Sequence, residues 1–188
     1  MARVRSPEKR GAILQAAVHE IATAGLGAPT SKIARRAGVA EGTLFTYFAS
    51  KEDLLNELYL ELKSEVYARV NAEFPHKASL ERRARHIWST YLEWAIEFPE
   101  KRRTSVQLNV SDSITPATRA RTAEERGTVE ATLRELGSRG ALRGLPAGFA
   151  AATMSAMQEA TMEFIGKQPR QRQALIDQGF EVFWRIVK

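Results

Sequence analysis

Residues 30–51 read T-S-K-I-A-R-R-A-G-V-A-E-G-T-L-F-T-Y-F-A-S-K, and they predict two short helices joined by a tight turn. A hydroxyl side chain is a favourable helix cap, so we expect Thr30 to cap the first helix. Gly38 is predicted to end that helix, because glycine accepts the left-handed conformation that a C-terminal cap needs. The second helix is predicted over Glu41–Phe48, with Leu44 and the final phenylalanine on its inner face.

The neighbouring sequence predicts one helix before this stretch and another after it. Ser6 followed by Pro7 is typical of a helix start. Ser50 and Asp53 form a capping-box pattern, so a further helix is expected from Lys51. A helix, a glycine turn and a second short helix form the helix-turn-helix pattern, whose second helix enters the DNA major groove. Spacing alone is equally compatible with a small helical hairpin that has no partner.

Residues 34–55 follow the pattern A-x-x-A-G-V-x-x-G-T-L-F-x-Y-F-x-S-K-E-x-L-L, which closely resembles the tetracycline-repressor (TetR) family of transcription regulators. One departure is Ala40, where the family often has a capping serine. Beyond the N-terminal part, the chain is similar to that family only in length and helical character. The resemblance implies an all-α fold. A three-helix helix-turn-helix domain is expected at residues 1–50, and a helical bundle that binds ligand and dimerises at 51–188.

The predicted DNA-binding residues lie on the second motif helix and at the two helix starts beside it. A threonine methyl can contact a thymine methyl, and a hydroxyl can bond a base edge or a phosphate. The resemblance implies that Thr43 and Tyr47 contact DNA, with Tyr47 on a phosphate. It also implies that Thr30, Ser31 and Lys51 hold the DNA backbone. The full predicted set is Thr30, Ser31, Glu41, Gly42, Thr43, Phe45, Thr46, Tyr47 and Lys51.

Several of these positions also have a purely structural interpretation. Thr30 can serve only as a helix cap, and Lys51 can be a solvated surface charge. Phe45 can belong to the core of the domain. Gly42 either lets the helix backbone approach DNA closely or is simply a weak helix residue.

Positive charge is concentrated in the same part of the chain. The net charge is +6, and residues 1–51 hold eight Lys and Arg against three Asp and Glu. Arg3 and Arg5 precede the first helix as a basic arm. This distribution is the electrostatic footprint expected of a protein that binds DNA phosphates, although cationic tails are also common on solvated surfaces.

After the motif, apolar residues recur at helical spacing and no strand pattern competes with them. Helices are predicted over residues 51–74, 78–98, 100–109, 116–138, 147–166 and 169–187. The C-terminal half of the predicted helix 78–98 is apolar around nearly its whole circumference. A helix of this kind is buried within a domain.

Aromatic and methionine residues in this second part are candidates for a ligand pocket. At helical spacing such residues are more often plain core, and that alternative stays open. The family resemblance implies a cavity lined by central helices, bounded here by the helix 78–98, residues 106–109 and the helix 149–164. The predicted ligand-binding residues are Trp88, Tyr91, Trp94, Phe98, Asn109, Met154 and Met157. We expect a small apolar or aromatic effector.

The last two helices predict a homodimer. Ala152, Ala156 and Ala160 recur every four residues, so another helix can approach closely. The final helix carries two apolar stripes, of which one can face its own domain. The other needs a second surface, which a two-fold partner would supply.

Composition argues against other classes of protein. The chain has no Cys, and its three His residues are scattered, so no metal site is predicted. No phosphate-binding glycine loop or nucleophile elbow is present, and we therefore expect neither a cofactor nor enzymatic activity. The sequence has no signal peptide and no stretch long enough to span a bilayer, which predicts a soluble cytoplasmic protein without a membrane partner.

The prediction is therefore a ligand-responsive transcription regulator, most simply a repressor. It binds a palindromic double-stranded operator as a dimer, and a small effector releases it. The alternative within this class is an activator or repressor that a protein partner controls. The alternative from another class is an α-helical carrier of lipids or small molecules, or a helical enzyme, which the N-terminal motif disfavours.

Overall fold

The computed structural model describes residues 6–188, apart from the side chains of residues 123–125, and the regular secondary structure of this part of the chain is entirely helical. The predicted fold class is thus confirmed. The helices are α1 (Pro7–Ala24), α2 (Thr30–Arg36), α3 (Glu41–Tyr47), α4 (Lys51–Ala72), α5 (Leu80–Glu97), α6 (Pro99–Asn109), α7 (Pro116–Gly137), α8 (Phe149–Lys167) and α9 (Arg172–Val187). Short 3-10 turns lie at Gly140–Leu142 and Pro169–Gln171. The predicted basic arm with Arg3 and Arg5 lies outside the described residues.

The chain forms two compact units, and each unit is discontinuous in sequence. The first combines residues up to 64 with 98–122, and the second combines 65–97 with 123–188. The first unit therefore contains α1–α3, most of α4, and α6. The functional division at residue 50 stays a prediction. Within residues 6–188, no helix combines the length and apolarity needed to cross a membrane.

The core of the first unit lies among the helices of the motif and α1. Ser6 caps α1 as predicted, because its hydroxyl oxygen accepts a hydrogen bond of 3.3 Å from the Lys9 N–H. Leu44 and Phe48, which the sequence predicts to face inward, are buried there. Its fully buried side chains include Ile13, Ile21, Ile33, Leu44 and Phe48.

Helix α6 packs against the C-terminal half of α1, which the sequence pattern did not indicate. The buried Thr104 hydroxyl donates a hydrogen bond of 2.9 Å to the Val18 carbonyl oxygen. The Gln107 side-chain amide donates one of 3.3 Å to the Ile21 carbonyl oxygen. Since these contacts join residues 86 positions apart, only the folded chain reveals them.

The second unit is built around Trp88 of α5. Its indole N–H donates a hydrogen bond of 2.9 Å to the Ile176 carbonyl oxygen, and its ring stacks on Phe183 at 6.0 Å between centroids. The Phe180 ring meets it edge-on at 6.1 Å. A Cβ atom at Gly179 would lie 2.9 Å from the Trp88 ring, so this glycine permits the close approach of α9 to α5.

The structure decides which stripe of α9 faces its own unit. One predicted stripe consists of Ile176, Phe180, Phe183 and Val187, and all four side chains are buried. The other stripe includes Val182, whose side chain is 53% exposed. One of the two predicted stripes is thus core, and the other reaches the surface of the unit.

A substitution at Gly140 tests the close contact between the first 3-10 turn and the end of α9. It has φ 49°, and a Cβ there would lie 2.7 Å from the Ile186 carbonyl oxygen. Gly144 is a matched control, because it has φ 82° but open space around it. We expect Gly144→Ala to lower the free energy of unfolding by about 1–2 kcal/mol through backbone strain. Gly140→Ala should cost about 1–3 kcal/mol more because of the clash. Denaturant unfolding measures both, and equal losses would contradict the contact.

Candidate nucleic-acid interface

A tight glycine turn sets the arrangement of α2 and α3. Gly38 has φ 69°, the left-handed conformation predicted for it. Its N–H donates to the Arg35 carbonyl oxygen at 3.1 Å, and the Val39 N–H donates to the Ala34 carbonyl oxygen at 3.0 Å. This pair of bonds is a Schellman motif, which satisfies the last carbonyl groups of α2 and fixes the direction in which α3 begins.

The predicted role of Thr30 as helix cap is wrong. Pro29 occupies the capping position, and Thr30 is already the first residue of α2. Its hydroxyl instead donates a hydrogen bond of 2.6 Å to the Glu41 carboxylate. Because Glu41 is the first residue of α3, this bond ties together the starts of the two motif helices.

One face of α3 is buried and the opposite face is open. Leu44 is fully buried, as is Phe48, which follows the helix. The Phe45 side chain is 43% exposed, so it belongs to the open face and not to the core. Glu41, Gly42 and Thr46 are exposed, and Thr43 and Tyr47 are half-buried. The Thr46 hydroxyl donates to the Thr43 carbonyl oxygen at 2.6 Å.

The start of α4 has the cap predicted at Ser50, but the reciprocal bond of a capping box is displaced by one residue, to the Ala49 N–H. The Asp53 N–H donates to the Ser50 hydroxyl oxygen at 3.1 Å, and the Asp53 carboxylate accepts from the Ala49 N–H at 2.9 Å. Lys51 is the first residue of this helix and is half-buried. Ser31 is exposed near the start of α2. The predicted backbone-contacting residues thus lie at helix starts, where free N–H groups favour anions.

Charged side chains hold α2 against α1. Arg36 donates a hydrogen bond of 2.6 Å to the Glu20 carboxylate. This bond lowers the pKa of Glu20 below its usual value. Lys32 and Arg35 lie exposed on the same short helix. The motif therefore carries cations on its surface while its inner side is apolar.

The aromatic residues predicted to bind ligand make hydrogen bonds inside the second unit. The Tyr91 hydroxyl donates to the Glu159 carboxylate at 2.6 Å, and the Trp94 indole N–H donates to the Glu65 carboxylate at 2.8 Å. The Tyr91 and Trp94 rings are tilted against each other, 5.9 Å apart. Trp88 lies in the core described above, where it fits the alternative of a packing residue.

The remaining predicted ligand residues fall in both compact units. Met154 is buried and Met157 is half-buried on α8, in the second unit. Phe98 and Asn109 belong to the first unit, where both are half-buried. The pocket itself stays a prediction.

The second unit also has an open groove that the sequence did not indicate. It has a volume of about 330 Å³, and it lies among the end of α7, the Gly140–Leu142 turn and the start of α8. Leu133, Leu145 and Phe149 line it, together with Arg126 and Arg134. None of the seven predicted ligand residues lines this groove.

Comparison with known proteins agrees with the geometry of the motif. Residues 13–58 match the sequence model of the family described as bacterial regulatory proteins, tetR family. The fatty acid metabolism regulator protein of Bacillus subtilis (strain 168) is 41% identical over 68 residues. That match spans 36% of this chain and 35% of the curated relative.

Solved structures resemble the whole chain. A protein from Shewanella sp. PV-4 that has been assigned to the tetR family is 28% identical, with a TM-score of 0.82 over 96% of this chain and 97% of that one. LfrR, a TetR-like regulator from Mycobacterium smegmatis in complex with proflavine, is 21% identical. Its TM-score is 0.68 over 94% of this chain and 95% of that one, and this likeness concerns the fold alone.

The motif geometry and these matches define a DNA-binding transcription regulator of the helix-turn-helix class. Within that class residues 13–58 match the TetR family, so the resemblance seen in residues 34–55 is confirmed.

A substitution at Gly42 tests whether this glycine lets the backbone of α3 approach DNA closely or is simply a weak helix residue. A Cβ atom there would have open space around it, and the residue lies inside a helix. Gly42→Ala should therefore stabilise the protein by about 0.5–1 kcal/mol, because alanine is the better helix former. If the backbone approaches DNA closely here, the same variant should bind DNA at least tenfold more weakly. Thermal unfolding and fluorescence anisotropy with a DNA duplex measure the two effects. An unchanged affinity would reduce Gly42 to a weak helix residue.

Proposed function

We propose that this protein is a repressor that binds a palindromic DNA operator as a homodimer in the cytoplasm and is released by a small effector. The observation that carries the proposal is the open face of α3, which presents Phe45 and Thr46 to solvent beside the half-buried Thr43 and Tyr47. A short helix with exposed apolar and hydroxyl side chains is suited to reading base edges in the major groove.

The chemistry of each side chain suggests its partner on DNA. The Phe45 ring and the Thr43 methyl group can contact thymine methyl groups, and the Glu41 carboxylate can accept from a cytosine amino group. Tyr47 and Lys51 can contact phosphates, which fix the register of the protein without reading sequence. Thr30 and Ser31 are suited to the same backbone role at the start of α2.

A strip of small residues on α8 supports the homodimer. Ala152, Ala156 and Ala160 are all exposed, and the Phe164 side chain on the same helix is 49% exposed. Val182 on α9 adds an apolar side chain that is 53% exposed. Small residues let a second helix approach, and a two-fold partner would cover the same surface on both chains. Such a dimer must hold its recognition helices roughly 34–36 Å apart to read one face of DNA.

Ala156→Arg tests the dimer and the palindromic operator together. A long charged side chain on the strip should keep the protomers apart, whereas Ala131→Arg, at an exposed position on α7, should not. We expect sedimentation to give monomers only for Ala156→Arg. Affinity for a palindromic duplex, selected from a random pool by the parent protein, should fall about 100-fold or more because two half-sites no longer act together. A parent protein that is monomeric at micromolar concentration would contradict the dimer.

For the effector, we infer a small apolar or aromatic molecule that binds among the predicted aromatic and methionine residues. The proposed set is Trp88, Tyr91, Trp94, Phe98, Asn109, Met154 and Met157. The complex of LfrR with proflavine supports an aromatic ligand, since that regulator has a similar fold. Methionine side chains adapt to the shape of what fills a pocket. An effector that prefers a different separation of the recognition helices lowers DNA affinity by population shift.

N-phenyl-1-naphthylamine, a neutral aromatic probe, tests this pocket. We expect it to quench tryptophan fluorescence, to raise the melting temperature and to weaken binding to the selected duplex. Trp94→Phe should remove most of the quenching. Trp184→Phe is the matched control, because this residue of α9 stacks on Phe180 and is outside the proposed set. A probe that binds without any change in DNA affinity would contradict the regulatory role of the pocket.

A further inference from the structure

The hydroxyl group of Tyr47 is held by the first turn of α1. The Ser6 backbone N–H donates a hydrogen bond of 3.0 Å to the Tyr47 hydroxyl oxygen. The two residues are 41 positions apart, and the bond is partly buried. It joins the capping residue of α1 to the last residue of α3, so it is a long-range contact at the edge of the open face.

The residue at the third position of α1 cannot accept a hydrogen bond from the Ser6 backbone N–H. In a capping box, a Glu or Gln at the third helical position accepts the N–H of the capping residue. Here that position is Lys9, which has no acceptor group in its side chain. The Ser6 hydroxyl accepts from the Lys9 N–H and donates to the Glu8 carboxylate, so both of these bonds stay within the first turn of α1. The Tyr47 oxygen therefore supplies the acceptor that the helix start lacks.

The first turn of α1 is itself anchored to α4. The Arg10 guanidinium donates a hydrogen bond of 2.7 Å to the Glu57 carboxylate and lies 5.8 Å from the centre of the Phe48 ring. Because Phe48 directly follows Tyr47, both contacts of α1 meet the same end of α3. The position of Ser6 relative to Tyr47 is thus fixed from two sides.

A phenol hydroxyl that accepts one hydrogen bond still has its own proton to donate. When the Ser6 N–H occupies one side of the Tyr47 oxygen, the O–H bond must point to the other side. A DNA phosphate oxygen is an acceptor only, so it needs that proton presented to it. We propose that Ser6 is a positioning residue for DNA binding, because its backbone N–H orients the Tyr47 hydroxyl toward a phosphate. This inference rests on the proposed contact of Tyr47 with DNA.

Two substitutions of Ser6 isolate its N–H group. Ser6→Ala removes the hydroxyl and keeps the N–H, whereas Ser6→Pro removes both. Proline fits the backbone here, since Ser6 has φ −73° and ψ 124°. Each variant is made with Tyr47 present and with Tyr47→Phe. Affinity is measured for the duplex that the parent protein selects from a random pool, and circular dichroism checks the helical fold.

With Tyr47 present, Ser6→Pro should bind the duplex about threefold to tenfold more weakly than Ser6→Ala. In the Tyr47→Phe background the two variants should bind equally, because no hydroxyl remains to be oriented. Equal binding with Tyr47 present would overturn the proposal. An equal difference in both backgrounds would also overturn it, since proline would then act through the fold alone.

Arg10→Gln provides a second measurement if Ser6→Pro does not fold. Loss of the Glu57 contact should release the first turn of α1 and weaken DNA binding only when Tyr47 is present. If Arg10→Gln weakens DNA binding equally in the Tyr47→Phe background, Arg10 contacts DNA by itself. That result would overturn the proposal that Arg10 acts by holding Ser6 in position. A parent protein that enriches no duplex from the pool would overturn the proposed DNA contact, and this outcome is seen before any variant is compared.

Discussion

The left-handed turn at Gly38 is the constraint on which the open face of α3 depends. Its two backbone hydrogen bonds end α2 and set the direction of α3, so they decide which side of α3 is buried. Leu44 then faces the core, and Phe45 necessarily faces solvent. A residue with a Cβ at this position would pay the cost of the left-handed conformation. The open face of α3 is in this sense a consequence of one backbone angle.

Features that depend on neighbours along the chain could be predicted from the sequence. The cap at Ser6, the cap at Ser50 and the glycine turn all involve residues within a few positions of one another. Helical periodicity likewise identified the buried residues of α3. The misassigned cap at Thr30 shows the boundary of such reasoning, because its hydroxyl prefers a carboxylate eleven residues away.

Contacts between distant segments could not be predicted in the same way. Nothing in the spacing of α6 indicates that Thr104 bonds to the Val18 carbonyl oxygen, or that Ser6 bonds to Tyr47. The aromatic residues of α5 show the same limit. Helical periodicity predicts that these residues are buried. Only the fold shows that Trp88 packs against α9, while Tyr91 and Trp94 donate hydrogen bonds to carboxylates. Pattern alone cannot distinguish a core aromatic residue from one that lines a cavity.

The packing of α6 on α1 has a consequence for how the protein is made. A nascent chain that has reached residue 64 contains the complete helix-turn-helix motif but not the residues 98–122 that finish its compact unit. Until that later segment leaves the ribosome, the C-terminal half of α1 lacks the helix that covers it. The first unit can thus complete its core only after the intervening helix α5 has been synthesised. Synthesis of the motif and completion of its supporting core are separate events in time.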